Sequence, residues 1–478
     1  MTEKTKLSYI LCLKAALLLL LMLSGWIPLA PDEAQYWTWS QALDWGYYSK
    51  PPGIAWQIKA TTLLLGNNEL GVRYGALFIS FFLGIALYSL AKALKFSDKM
   101  AFWSGILFAF SPLGFYLSFA ATTDPGAILF FTLAIIAVVK GPHYIWAGLF
   151  IALGALFKWT AFLLWPFVFL ALIFLPQMRK KSLIWGILIS LVALLPTLYW
   201  NASHDFATFK HVAATGAKKG GGNFFDFLGA QIALLSPILF ALLVGALAKI
   251  YRDKRKDLLF VALIPSGVLL YLFYSFFAKM QPNWAIYLYL PGFALIAWFS
   301  VERHMKWLYG GIWLSIFMIC AALSTRFLEV PYAMNPFRQN LGWNHLAPAL
   351  TKAGYDPKTD FLFADKYQMT SLLSFYEQKR AYFFNLNQVR KNQFSYGEQM
   401  NPSQIGCTGY FVISENVQES ALGWYQSHYE KALAPYFEKV EFRGAYPLFS
   451  VSGTPVKHAL IFKGIAYNGK SPELIEKY

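Results

Sequence analysis

The sequence predicts an α-helical polytopic membrane protein with a C-terminal α/β domain outside the membrane. Three observations carry that prediction. Hydrophobic residues make up 57% of the 478 residues and charged ones only 14%, too apolar a balance for a soluble chain of this size. The apolar residues gather in runs of roughly membrane-spanning length. Lys and Arg, which give a formal net charge of +16, cluster between those runs instead of along one polar face, a pattern of membrane topology and not of nucleic-acid binding.

The apolar runs number eleven: 7–29, 70–91, 100–119, 125–139, 143–157, 160–176, 183–200, 228–250, 258–277, 284–301 and 307–324. The first has the basic start of a signal peptide, but its length and the many runs behind it make it an uncleaved first span. With a cytoplasmic N-terminus, the loops KALKFSDK (92–99), KGPH (140–143), QMRKK (177–181), YRDKRKD (251–257) and VERHMK (301–306) are cytoplasmic and basic, as the positive-inside rule requires. The loop after the first run, the Asp124 loop, the Gly-rich loop 201–227 and KMQPNW (279–284) then face outside, together with everything after residue 325.

The chain accordingly divides into a membrane domain, 1–325, whose first outer loop covers 30–69, and a soluble domain, 326–478. In the latter, runs such as FLFADKY and GYFVISEN alternate with short helical patterns, which predicts an αβα arrangement. Cys12 and Cys320 sit in apolar runs and Cys407 stands alone, so no disulfide framework is expected. No internal repeat suggests the inverted halves of a transporter.

The chemistry concentrates on the outer face. Asp32 and Glu33 open PDEAQYWTWSQALDWGYYSKPPGIAW, directly after the first span. Ionisable groups near membrane depth are costly and tend to be kept for function. The aromatic residues behind them, Tyr36, Trp37, Trp39, Trp45, Tyr47, Tyr48 and Trp56, suit an interfacial belt and equally a platform for a sugar face. Asp124, in SFAATTDPGAILFF, reads as an N-cap before Pro125 and shares sidedness with Asp32. Lys50, Arg73, Lys158, Lys218, Lys219 and Lys279 fall on this face too, where the positive-inside rule expects few cations, with Asn283 and Trp284 following Lys279. They are placed to hold an anion.

Acids, cations and aromatic surfaces at one leaflet fit transfer of a sugar from a lipid phosphate. A carboxylate can deprotonate the acceptor, and the departing phosphate needs positive charge but no general acid. One base without a nucleophilic partner implies inversion. The acids leave room for a divalent ion, Mg or Mn, on Asp32 and Asp124 with Glu33 nearby, without requiring one. His204, His211 and His345 lack ligand spacing. KKGGGN (218–223) reads as a flexible lid and not as a phosphate loop.

The ordered set DEAQYWTWSQALDWGYYSKPPGIAW, GNNELGVRYGALF, ATTDPGAILFFTLAI, KMQPNWAIYLYL and FADKYQMTSLLSFYEQKRAYFFNLNQVRKNQF closely resembles the bacterial family-39-like integral-membrane glycosyltransferases. These are relatives of dolichyl-phosphate-mannose protein mannosyltransferases and of the lipid A aminoarabinose transferase. The resemblance implies a GT-C fold with juxtamembrane helices in the first outer loop and a polyprenyl-phosphate sugar donor. It implies Asp32 as the first-loop catalytic acid, Glu33 as its companion and Asp124 as the second-loop acid. Lys50 falls where related enzymes carry His-Pro-Pro or a phosphate-contacting lysine. The expected activity is inverting transfer to lipid A or lipopolysaccharide on the periplasmic face of the bacterial inner membrane. A protein acceptor on the same fold is the alternative, and a flippase of lipid-linked sugars is the rival from another class. The aminoarabinose donor is not assigned, because that branch usually carries additional C-terminal spans, and the sugar stays open, because its selection rests on a few pocket contacts from distant loops.

Overall fold

The computed structural model describes residues 1–216, 220–400, 402–416, 419–472 and 477–478. Among them, five helices are long and apolar enough to cross a membrane: Glu3–Leu23, Glu69–Ala93, Ser182–Ser203, Lys256–Tyr274 and Met305–Ser324. Two more spans form if the bent pairs Asp98–Phe110 with Pro112–Phe119, at 66°, and Phe224–Leu235 with Pro237–Arg252, at 94°, each cross as one. Proline at the start of each second half supplies no N–H to the turn before it, which accounts for the breaks. The other four expected positions hold shorter apolar helices: Asp124–Val139, Tyr144–Ala155, Trp159–Phe174 and Ile286–Ser300. Length and composition therefore support five to seven spans and do not by themselves reach eleven.

Two helices, Pro31–Gln41 and Gly53–Leu65, occupy the first outer loop. Pro31 starts the first with its fixed φ, and Asp32 and Glu33 sit at the positive end of its dipole. Gly53 is required by close approach: its N–H donates to the Leu156 carbonyl at 2.7 Å, and a Cβ there would stand 2.7 Å from that same oxygen. This contact lays the Lys-Pro-Pro turn on the turn that carries Lys158.

The C-terminal region builds one five-stranded mixed sheet in the order β2-β1-β3-β5-β4. Its strands are β1 (Phe361–Ala364), β2 (Ala381–Phe383), β3 (Gly409–Glu415), β4 (Phe437–Val451) and β5 (Thr454–Tyr467). β1 pairs in parallel with β2 and β3, and β5 runs antiparallel to β3 and β4. Alternation sets the two faces. Leu362, Ala364, Tyr410 and Val412 pack with helices Leu346–Ala353 and Tyr367–Tyr376, whereas Phe361, Phe363, Phe411 and Ile413 pack with Tyr429 and Leu433 of helix Glu419–Leu433. The expected αβα layering is present.

The first face continues into Ala34, Tyr36 and Trp37 of Pro31–Gln41, so the sheet and the first outer loop share one core. Tyr376 fastens them: its hydroxyl donates to Glu69 at 2.7 Å and accepts the Leu29 N–H at 3.1 Å.

Candidate functional site

The acids expected from sequence lie at the end of the helical bundle that carries the sheet, in different surroundings. Glu33 is closed in. Its Oε1 accepts from Arg73 Nε and the Ala121 N–H, both at 2.9 Å, and its Oε2 accepts from Arg73 Nη2 at 2.6 Å and the Ala30 N–H at 2.9 Å. Arg73 also donates to the carbonyls of Ile27 and Pro28, and its guanidinium lies 4.4 Å from the Phe119 ring centroid. Both side chains are buried. The two are held by each other and by the backbone of two separate segments, 27–30 and the turn at Ala121.

Asp124 opens helix Asp124–Val139 and is buried. The structure corrects the capping assignment by one residue: Thr123 is the cap and Asp124 the first helical residue. Its Oδ1 receives Lys158 Nζ at 2.6 Å, and its Oδ2 lies 3.5 Å from both the Tyr116 hydroxyl and Asn283 Nδ2. Lys50 joins this group. Burial and the charge of Lys158 push its ammonium below the ordinary lysine value, against the opposing pull of Asp124 and Asp32.

Asp32 is the acid left open. It lines a cleft of about 640 Å³ whose other walls include Gln281, Trp343, Asp365, Lys366, Tyr367 and Lys457. Desolvation by those walls raises its carboxyl above the ordinary value, Lys50 opposes the shift, and Glu33 adds to it. Lys457 is buried in the same cleft, 3.5 Å over the Trp343 ring and donating to the Leu341 carbonyl at 2.7 Å; burial lowers its ammonium to about 7.

The remaining expected residues stand apart from the acids. Tyr47 stacks on Trp39 with centroids 4.7 Å apart, donates to the Trp39 carbonyl, and lines a second cavity of about 420 Å³. Tyr48 packs against Trp200 and against His211, with ring centroids 4.8 Å from the latter. Lys279 is exposed, and Trp284, half-buried, makes no described hydrogen bond to an acid. Lys218 and Lys219, with the start of KKGGGN, lie outside the described residues. Residues that sequence reasoning did not single out are Tyr116 beside Asp124, Tyr367 between the charges of Asp32 and Arg390, and Asp365. The quoted FADKYQM motif already contained two of them.

Among the described residues, no group of three or more His, Cys, Asp or Glu side chains is arranged to hold a metal ion. The donor chemistry agrees: Glu33 is taken by Arg73 and two amides, and Asp124 by Lys158, so the three acids do not fit a shared divalent cation.

Residues 49–200 match the sequence model of the dolichyl-phosphate-mannose-protein mannosyltransferase family. The lipid A galacturonosyltransferase RgtD of Rhizobium johnstonii is 30% identical over 293 residues, 58% of this chain and 61% of that protein. The undecaprenyl phosphate-alpha-4-amino-4-deoxy-L-arabinose arabinosyl transferase of Photorhabdus laumondii is 24% identical over 332 residues, 62% of this chain and 59% of that protein. The chain thus spans 61% and 59% of the lengths of these curated relatives. In fold, it is similar to ArnT from Cupriavidus metallidurans bound to undecaprenyl phosphate, with a TM-score of 0.64 at 14% identity over 97% of this chain and 99% of that one. The apo oligosaccharyltransferase of Archaeoglobus fulgidus gives 0.51 at 13% identity over 98% and 75%. The fold is that of the helical membrane glycosyltransferases with a C-terminal sheet domain.

Proposed function

We propose that this chain is an inverting GT-C glycosyltransferase that moves a sugar from an undecaprenyl-phosphate donor to lipid A or lipopolysaccharide on the periplasmic face of the bacterial inner membrane. One observation carries the reading: at one end of the bundle, a cationic pair, Lys50 and Lys158, stands with Asp124 beside the open carboxylate of Asp32. The names and substrates of the similar proteins support the same reaction class.

In this reading Asp32 is the base. Its carboxylate takes the proton of an acceptor hydroxyl as that oxygen attacks the anomeric carbon. The new C–O bond forms on the face opposite the departing one, and the bond to the phosphate oxygen breaks with its electron pair, which inverts the centre. The lipid phosphate leaves as an anion and needs cations held in place before it departs. Lys50 and Lys158 supply them, and Asp124 orients Lys158. Glu33 and Arg73 position the loop that presents Asp32 and do not touch substrate.

The reading includes eleven spans within 1–325, a first outer loop at 30–69, a periplasmic domain at 326–478 and a cytoplasmic N-terminus. The four apolar helices shorter than a full span meet this count where the bilayer thins around them.

The test is mass spectrometry of lipid A and core oligosaccharide from cells lacking the protein, complemented with wild type or Asp32→Asn. One sugar mass should vanish and return only with wild type. Unchanged lipids would move the acceptor to protein, and full rescue by Asp32→Asn would remove Asp32 as base.

A further inference from the structure

The sheet domain turns a ligand crevice toward Asp32. β1 and β3 are parallel neighbours, while β2, which lies between them in sequence, pairs on the far side of β1. The helix after β1, Tyr367–Tyr376, covers one face of the sheet, and the helix after β3, Glu419–Leu433, covers the other. The chain thus leaves the carboxyl ends of two adjacent parallel strands in opposite directions, the arrangement that opens a ligand-binding crevice in α/β sheets. Asp365, which follows β1, and Ser414, near the end of β3, both line the cleft that Asp32 lines from the membrane side.

Asp365 lies in this cleft with an unmet acceptor. It is 1% exposed; one carboxylate oxygen receives the Asn387 side-chain amide, and Oδ1, also buried, has no hydrogen-bond partner among the described residues. A buried oxygen left without a donor is rare in folded proteins and asks for a ligand or water. The amides of Gln281, Gln339 and Gln368 and the rings of Trp343 and Tyr367 line the same cleft. Carboxylate, amides and aromatic faces together suit a hydroxyl-bearing ring. Lys50 and Lys158, which suit the donor phosphate, are not among the residues that line this cleft.

We infer that this crevice is the acceptor-saccharide subsite, in which Asp365 and the cleft amides hold the acceptor's sugar hydroxyls and turn one of them toward Asp32. The inference rests on the glycosyl-transfer reading above and assigns the sheet domain the selection of acceptor. Asp365 is a positioning and specificity residue.

The test uses the full chain in detergent, titrated separately with lipid A micelles and with undecaprenyl phosphate, as wild type, Asp365→Asn and Gln368→Leu. Asp365→Asn should bind lipid A about tenfold more weakly, the loss of a hydrogen bond to a charged group, and Gln368→Leu about fivefold, that of a neutral one, with undecaprenyl phosphate affinity unchanged. Unchanged lipid A affinity in both variants would overturn the subsite and leave the transfer reading standing. If Asp365→Asn loses both ligands, Gln368→Leu, outside the buried carboxylate, decides in the same terms. A wild-type protein that binds undecaprenyl phosphate but not lipid A would overturn the lipid acceptor and this subsite together.

Discussion

Arg73 Nε and Nη2 close on the two carboxylate oxygens of Glu33 at 2.9 and 2.6 Å, joining residues forty positions apart in a fully buried fork. A guanidinium matches a carboxylate in this two-point geometry and no other side chain does. Because Arg73 also holds the carbonyls of Ile27 and Pro28, the pair fixes the chain segment that runs from the first span into Asp32.

Removing one partner strands the other. Arg73→Met leaves the Glu33 charge buried and unpaired, at a cost of about 3–5 kcal/mol, and should lower the thermal midpoint of the full chain in detergent by several degrees. The double variant Glu33→Gln, Arg73→Met should recover part of that loss. A melting curve unchanged in Arg73→Met would contradict the positioning role of the pair.

The lysines divide differently. Lys50 has no described hydrogen bond to a carboxylate, whereas Lys158 is bonded to Asp124 at 2.6 Å. Lys50→Met should therefore keep the fold and raise the KM for the polyprenyl-phosphate donor by about 10- to 100-fold, the range of a lost charge-assisted contact. Lys158→Met should lower both turnover and stability, because it leaves buried Asp124 without its cation. Steady-state kinetics and melting on the two variants separate these outcomes, and equal behaviour would refute the division.

Asp32 gives the pH dependence. As the proposed base, Asp32 works only when ionised, and desolvation in the cleft raises this carboxyl above its ordinary value of 3.8, so the active form is lost at a higher pH than for an aspartate in open water as the medium is acidified. The acid limb of kcat should have its midpoint above 3.8. Lys50→Met removes the cation that opposes burial and should move that midpoint further up. A limb that stays in place in Lys50→Met would count against the coupling of the two residues.

Much of this arrangement was legible in the sequence. The basic loops predict a sidedness that puts Asp32, Asp124, Lys50 and Lys158 on one face, and the structure gathers these four residues at one end of the bundle. Chain partners distant in sequence were not legible: nothing in a linear pattern pairs Glu33 with Arg73, because the link is the packing of helix Glu69–Ala93 against the first loop. Tyr47 and Tyr48 carried an ambiguous signal, since an aromatic ring suits a sugar face and a stacked core equally; the structure packs the first on Trp39 and the second against Trp200 and His211. Asp365 was visible only as part of a motif. Its unmet oxygen is a property of the fold around it.

Lys457 offers a test of the sheet domain by itself. It enters the cleft from β5 with a single carbonyl acceptor and the face of Trp343, and burial lowers its ammonium from 10.5 to about 7. The unfolded chain therefore binds a proton that the folded chain releases between those two values, and stability rises with pH across that window. Its contribution is fully present above 10.5 and is lost as the pH falls through about 7. Lys457→Met keeps the apolar stem against Trp343 without the titrating head, so its melting temperature should exceed that of wild type near pH 7 and the two curves should converge as the pH approaches 10. Scanning fluorimetry on the full chain between pH 6 and 10 measures the difference. A constant offset between the two proteins across that range would mean that Lys457 stays charged over Trp343 and that the aromatic face, not desolvation, governs it.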